Sequence, residues 1–269
     1  MTETLSAPLD VRLMNATASA LFMALAVTGL AAAAWWGLRH PVFSIAAINV
    51  QGDLTHNNAV TLRVNVAPRL RGNFFTLDLA TVKDAFEAVP WVRKAVVRRE
   101  FPNRLSVALQ EHQPVAYWGA DGESRLLNSH GEVFEANVDD VESDDLPRLS
   151  GPSGQSAQLL AMYRALAPLF ASLEARVEKL ELTDRGSWRT QLDTGAVMEL
   201  GRGTPAEIFE RTQRFIQTVS RATARYNRRP DAIESADLRH GNGYALRLRG
   251  VTTVTGEVPK PKTPGTSTH

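Results

Sequence analysis

The sequence runs to 269 residues, with 30 Lys and Arg against 29 Asp and Glu and a formal net charge of +1. That balance argues against a nucleic-acid module, which carries a basic excess on one face to neutralise phosphates. Cysteine is absent, which excludes disulfides and thiolate metal sites, and the six histidines (His40, His56, His112, His130, His240, His269) show no ligand spacing.

Residues 16–38 carry no charge and are long enough to cross a hydrocarbon core of ~30 Å as a helix. Trp35 and Trp36 stand at the far end, where indole rings favour the membrane–water interface. A buried core helix is rarely so long and so free of charge. A cleavable leader would use Ala31 to Ala34 as its small-residue site, but its apolar region would run only about 7–15 residues, and Asp10 dilutes the basic start. An uncleaved span is expected. Arg12 and Arg39 nearly balance across it, so orientation rests on mass. Residues 1–15 form a short cytoplasmic tail, and about 230 residues follow the span on the far side.

After the span, residues 43–52 read as a strand, with Gly52 and Asp53 closing it. Thr55 is the expected N-cap of a short helix through Val64. Asp78 is the expected cap of a clearer one, with Leu79, Val82, Phe86 and Val89 on one face and Lys83, Asp84 and Glu87 towards water. Pro90, lacking an amide hydrogen, stops it. Residues 92–101 form a strand, Pro102-Asn103 turns, and Leu105, Val107 and Leu109 alternate along the next. This β-α-α-β-β order predicts helices packed on one face of a three-stranded sheet.

The stretch Asn73-Phe74-Phe75-Thr76-Leu77-Asp78, followed by Val89-Pro90-Trp91-Val92-Arg93, Phe101-Pro102-Asn103-Arg104-Leu105 and Glu111-His112-Gln113-Pro114-Val115-Ala116, resembles the POTRA domain of the FtsQ/DivIB cell-division family. These are fold residues, with Trp91 and Phe86 expected in the core.

In the remainder, residues 118–135 read as a hairpin with Asp121-Gly122 and His130-Gly131 as turn signals. The acidic stretch 139–145 reads as a solvated loop. Residues 155–171 are helical, with Leu159, Met162, Leu166 and Leu169 on the apolar face. Residues 177–183 form a strand, and 188–192 with 196–200 a hairpin across Asp193-Thr194-Gly195. A second long helix covers 205–226, lined by Ile208, Phe209, Thr212, Phe215, Ile216 and Val219. Two strands, 232–238 and 244–249, flank His240 to Gly243. Several strands with two helices suggest a sheet extended from the first domain and covered on one face. Residues 251–269 read as a disordered tail.

Leu146-Pro147-Arg148-Leu149-Ser150-Gly151-Pro152, Arg185-Gly186-Ser187-Trp188, Leu200-Gly201-Arg202-Gly203 and Asp237-Leu238-Arg239 with Asn242-Gly243 resemble the β domain of the same family. The family's frequent Tyr-Val-Asp-Leu-Arg-Tyr stands here as Ser235-Ala236-Asp237-Leu238-Arg239-His240. The resemblance implies an α+β fold: a transmembrane helix at 16–38, a POTRA domain at 43–113 and a β domain at 114–250 with an extended sheet.

Catalysis finds no constellation. Asp193-Thr194-Gly195 is the aspartic-protease tripeptide, but that chemistry needs two carboxylates sharing a proton, and the second tripeptide is missing. Asp121-Gly122-Glu123-Ser124 lacks the glycine frame of a nucleophile elbow, and Gly201-Arg202-Gly203 lacks the Lys-Ser/Thr of a phosphate loop. No enzyme activity, cofactor, metal or small-molecule substrate is expected.

The resemblance implies instead a division scaffold of the bacterial inner membrane, enriched at the septum, with periplasmic domains. It would recruit FtsB, with FtsL, by strand addition, link them to septal peptidoglycan synthesis and meet other division proteins through the POTRA domain. The implied partner-binding residues are Arg185, Asp237, Arg239, His240, Asn242, Gly243, Tyr244, Leu246 and Leu248, with both arginines facing acidic partner residues. A POTRA-bearing envelope secretion or assembly component is the alternative; it would show tandem POTRA repeats and an amphipathic barrel.

Overall fold

A computed structural model describes residues 9–52, 54–123, 125–141, 145–241 and 243–251. Ser124, residues 142–144 of the acidic stretch, Asn242 and nearly all of the expected tail lie outside the described residues. The described chain divides into two units, 1–112 and 113–269.

The first unit opens with α1 (Leu9–Leu38), a 30-residue helix none of whose residues is buried. It begins seven residues before the expected span and takes in Asp10 and Arg12, since nothing between Leu9 and Ala16 breaks a helix. A short 3₁₀ turn, Pro41–Phe43, follows, so β1 (Ala47–Gly52) is shorter than the expected strand. Pro41 fixes the turn, and the Val42 N–H is taken by the His40 ring.

Helix α2 (Ala59–Val66) is capped by Asn58, whose side chain accepts from the N–H groups of Val60 and Thr61. Thr55 lies three residues before that cap, and its N–H is given to the Glu111 carboxylate. Helix α3 (Leu79–Glu87) starts at Asp78 as expected, and Val82, Ala85 and Phe86 are buried. Glu87 does not simply face water: it accepts from the Ala95 N–H and pairs with Lys83.

Strands β2 (Val92–Glu100) and β3 (Arg104–Glu111) are antiparallel, while β1 pairs in parallel with β3, giving the order β1-β3-β2. Leu105, Val107 and Leu109 of β3 meet Leu62, Val66, Val82 and Phe86 in one core, so both helices cover one face. The central strand is thereby hydrogen-bonded on both sides.

The second unit has its own sheet, a correction to the sheet expected to extend from the first domain. Its strands are β4 (Pro114–Trp118), β5 (Arg125–Asn128), β6 (Val133–Glu135), β7 (Arg148–Ser150), β8 (Val177–Leu182), β9 (Ser187–Leu192), β10 (Val197–Arg202), β11 (Ile233–Asp237) and β12 (Ala245–Leu248). Their order is β12-β11-β10-β9-β8-β7-β4-β5-β6. Among the described strands, β3 ends at Glu111 and pairs only with β1 and β2, while β4 starts at Pro114 and pairs with β5 and β7. Both turn signals in 118–135 are used, so that stretch makes three strands. Strand β7 lies mid-sheet, parallel to β4 and β8.

Helices α4 (Ser156–Ala171) and α5 (Pro205–Ala224) cover one face. Leu159, Leu166 and Phe170 of α4 and Ile208, Phe215 and Val219 of α5 meet Leu180, Trp188, Met198 and Leu200 from the strands. Charged pairs such as Arg189–Glu199 and Lys179–Asp121 stand outside that core.

Candidate docking edge and arginine cleft

Strand β12 ends the nine-stranded sheet, with β11 on one side and no described strand beyond it. The two are antiparallel, Ala245 opposite Asp237 and Arg247 opposite Ser235. The Leu238 N–H donates to Glu199 O at 2.8 Å, on the β10 side. The Arg249 N–H donates to Ala232 O at 2.8 Å, back towards β11. Alternation along a strand then turns the amides of Ala245 and Arg247 inwards and those of Leu246 and Leu248 off the sheet.

The side chains of the expected edge residues face elsewhere. Leu248 is buried and Leu246 half-buried, both against the α5-covered core. Tyr244 lies just before β12: its ring meets Phe215 edge-on at 5.0 Å, and its hydroxyl lies 2.9 Å from Thr218 Oγ1. It clamps the strand to α5 and is not a ladder residue. His240 and Gly243 are exposed in the connection.

Arg239 and Arg185 are the expected cations. The Arg239 guanidinium is already engaged, donating from Nε to Asp237 Oδ1 at 2.9 Å and from Nη2 to Oδ2 at 2.6 Å. Those bonds overcome partial burial and hold the Asp237 pKa down to about 2. Arg185, exposed in the β8–β9 turn, lines an open cleft of about 750 Å³ with Arg202, Arg211 and Arg239.

Sequence reading missed Arg202 and Arg211. Arg211, from α5, donates to the carbonyls of Leu200 and Arg202 at a bulge in β10. Gly201 makes this possible, with φ at +85° and no Cβ to meet Arg211 Nη1 and Arg239 Cγ. The legible signal was the Gly201-Arg202-Gly203 run, which resembles the family's β domain and lacks the Lys-Ser/Thr of a phosphate loop, but which by itself points to no cleft. Arg249 was also missed. Its Nη2 donates to the carbonyls of Thr194 and Asp231 and latches the end of β12.

Asp193, the candidate protease carboxylate, accepts from the Arg176 backbone N–H at 3.0 Å and pairs with the Arg176 guanidinium. These donors hold its pKa below the usual range. It braces a hairpin turn. Among the described residues no three His, Cys, Asp or Glu side chains cluster as metal ligands.

An apolar N-terminal helix, a POTRA-type β-α-α-β-β unit and a mixed sheet ending at β12 define a membrane-anchored, two-domain envelope protein. Known families agree with both units. Residues 43–112 match the family described as "POTRA domain, FtsQ-type", and residues 116–239 match "Cell division protein FtsQ/DivIB, C-terminal". A cell division protein FtsQ from Thiomonas arsenitoxydans is 41% identical over 246 residues, covering 91% of this chain and 89% of the relative. One from Burkholderia pseudomallei is 39% identical over 247 residues, covering 91% and 96%, and one from Bordetella pertussis 35% over 256, covering 89% and 92%. The chain belongs to the FtsQ/DivIB family of cell-division proteins. That assignment, reaching across both domains, sets aside the secretion-component alternative.

Proposed function

We propose that this chain is a non-catalytic division scaffold that captures FtsB, and FtsL with it, by strand addition along β12, linking them to septal peptidoglycan synthesis. The α1 helix anchors it with the amino terminus cytoplasmic and both domains periplasmic, at the midcell septum. The observation that carries the reading is the open edge of β12: an incoming strand finds the outward amide of Leu246 and its carbonyl ready to pair. Each backbone hydrogen bond gained contributes roughly 0.5–1.5 kcal/mol.

The arginine cleft beside that edge supports the same partner. Arg185 and Arg202 are exposed there and suit acidic residues flanking the added strand. Exposed pairs contribute only ~0.2–1 kcal/mol each, so backbone pairing dominates. Because Arg239 is held by Asp237, it shapes the cleft wall, and Arg185 is the better test of charge.

The test is Leu246→Pro. An outward-facing amide on an edge strand is where proline is tolerated, so β11–β12 pairing survives while the edge donor goes. Loss of FtsB pull-down by the folded variant, with filamentous cells when it replaces the wild type, is the expected result. Undiminished FtsB capture and normal division would refute strand addition here.

A further inference from the structure

At the end of the first domain that adjoins α1, three chain segments converge. The Leu38 carbonyl, closing the membrane helix, accepts from the Asn73 side-chain amide. The next residue, Phe74, donates its N–H to Phe43 O at 2.8 Å, and Ala46 donates to Asn103 O at 2.9 Å in the β2–β3 turn. Arg99 pins the same loop from β2, giving hydrogen bonds to the carbonyls of Phe74 and Leu77. This end is therefore tied to the helix terminus and internally braced.

Its surface is apolar where solvent would favour polar groups. Phe75 is 44% exposed, Val42 62% and Phe101 76%. The rings form one array, Phe43 to Phe75 at 4.9 Å, Phe75 to Phe74 at 5.2 Å and Phe74 to Phe101 at 6.2 Å, with only Phe74 buried. Flanking these segments in the chain are Arg39, next to Leu38, Arg69 and Arg71, just before Asn73, and Arg104, next to Asn103, all exposed, with Glu100 and Asp78 the neighbouring carboxylates. Among the described residues, no carboxylate pairs with Arg69, Arg71 or Arg104.

We infer that this face is a lipid-docking surface: Phe75, Phe101 and Val42 seat in the headgroup–acyl boundary while the surrounding arginines take the phosphates of anionic phospholipids. The bilayer is the occupant because the span delivers it there. Val42 follows the last helical residue by four positions, and the Asn73 contact holds the Phe74-Phe75 loop at the helix end. Arg39 lies 4.1 Å over the Trp35 ring, a pair suited to headgroup depth. Aromatic rings flanked by basic residues are the composition that binds such an interface. The docked face would hold the domain against the membrane and keep it from swinging freely on residues 39–46.

The absence of cysteine lets single labels report this cleanly. F75C, F101C and, as a control, A88C are each introduced into the full chain, labelled with nitrobenzoxadiazole and placed in nanodiscs of phosphatidylethanolamine and phosphatidylglycerol containing doxyl-labelled lipid. Several-fold stronger quenching at positions 75 and 101 than at 88 is expected. It should weaken in phosphatidylcholine discs and when Arg71→Glu and Arg104→Glu are added to F101C. Equal quenching at all three positions overturns the proposal. So does quenching indifferent to both phosphatidylglycerol and the arginines, which removes the anionic-lipid half. Efficient 101-to-101 disulfide formation in detergent, with no quenching in discs, overturns it in favour of a second copy of the chain.

Discussion

The carboxylate of Glu111 takes two hydrogen bonds from Asn57, one from the backbone N–H at 3.0 Å and one from the side-chain amide at 2.9 Å. Its other oxygen accepts from the N–H groups of Thr55 and His56, each at 3.0 Å. The end of β3 thus fixes the loop leading into α2, under a His56 ring stacked on Trp91 at 3.8 Å.

Burial raises the Glu111 pKa, but the donors from His56 and Asn57 outweigh it, so the folded value lies below the usual one. A depressed carboxylate stabilises the fold above its unfolded pKa, and that contribution fades as pH falls from there through the folded value. Glu111→Gln should cost about 2–3 kcal/mol at neutral pH, since an amide brings its own N–H groups against the donors. Denaturant midpoints of the full chain in detergent, taken from pH 7 downwards, should draw together between wild type and variant once the pH falls below the unfolded glutamate value of ~4.3. A constant gap would contradict the clasp.

Asp237, held to about 2 chiefly by Arg239, titrates below the ordinary carboxylate range of ~3.9. Its contribution is complete above that unfolded value and lost as pH falls towards 2. Arg239→Ala should move the Asp237 carboxyl titration up towards ~3.9, read by carbon-13 shifts of that carboxyl group. An unmoved titration would mean the backbone N–H of Arg239 alone sets it.

Gly201→Ala would place a Cβ 2.9 Å from Arg211 Nη1 and 3.0 Å from Arg239 Cγ, at a φ of +85°. A loss of about 1–3 kcal/mol is expected, seen as a lowered unfolding midpoint. Arg211→Met should cost less, because it leaves the backbone angle unstrained.

Thr204 and Glu207 form a reciprocal capping box at the start of α5. Thr204→Ala should cost about 1 kcal/mol, with the change appearing first in hydrogen exchange of the opening turn of α5.

Local signals made much of this fold readable. Asp78 with its periodic apolar face gave α3, and Asp193-Thr194-Gly195 gave the β9–β10 turn, because each depends on residues close in sequence. What was hidden depends on distant partners. Thr55 resembles a cap, but the helix starts later, at Asn58, in a loop that Glu111, 56 residues from Thr55, holds by its amides. Strand β7 has three residues after a proline, and its parallel neighbours β4 and β8 supply the hydrogen bonds that define it. At the candidate edge, alternation placed the strand, but not the orientation of its side chains. Tyr244 was read as a ladder residue because nothing local announces Thr218 and Phe215, and Arg239 as a free cation although Asp237 stands two residues before it.

The strand order also sets a timetable. β12 is the last of the described strands to be made, and it docks on β11, which is itself held by β10. Until residues 245–248 have emerged, the sheet ends at β11 and shows a different row of amides. Among the described strands the outermost ladder position is therefore created last, so any ligand that reads it also reads whether the domain has been synthesised through β12.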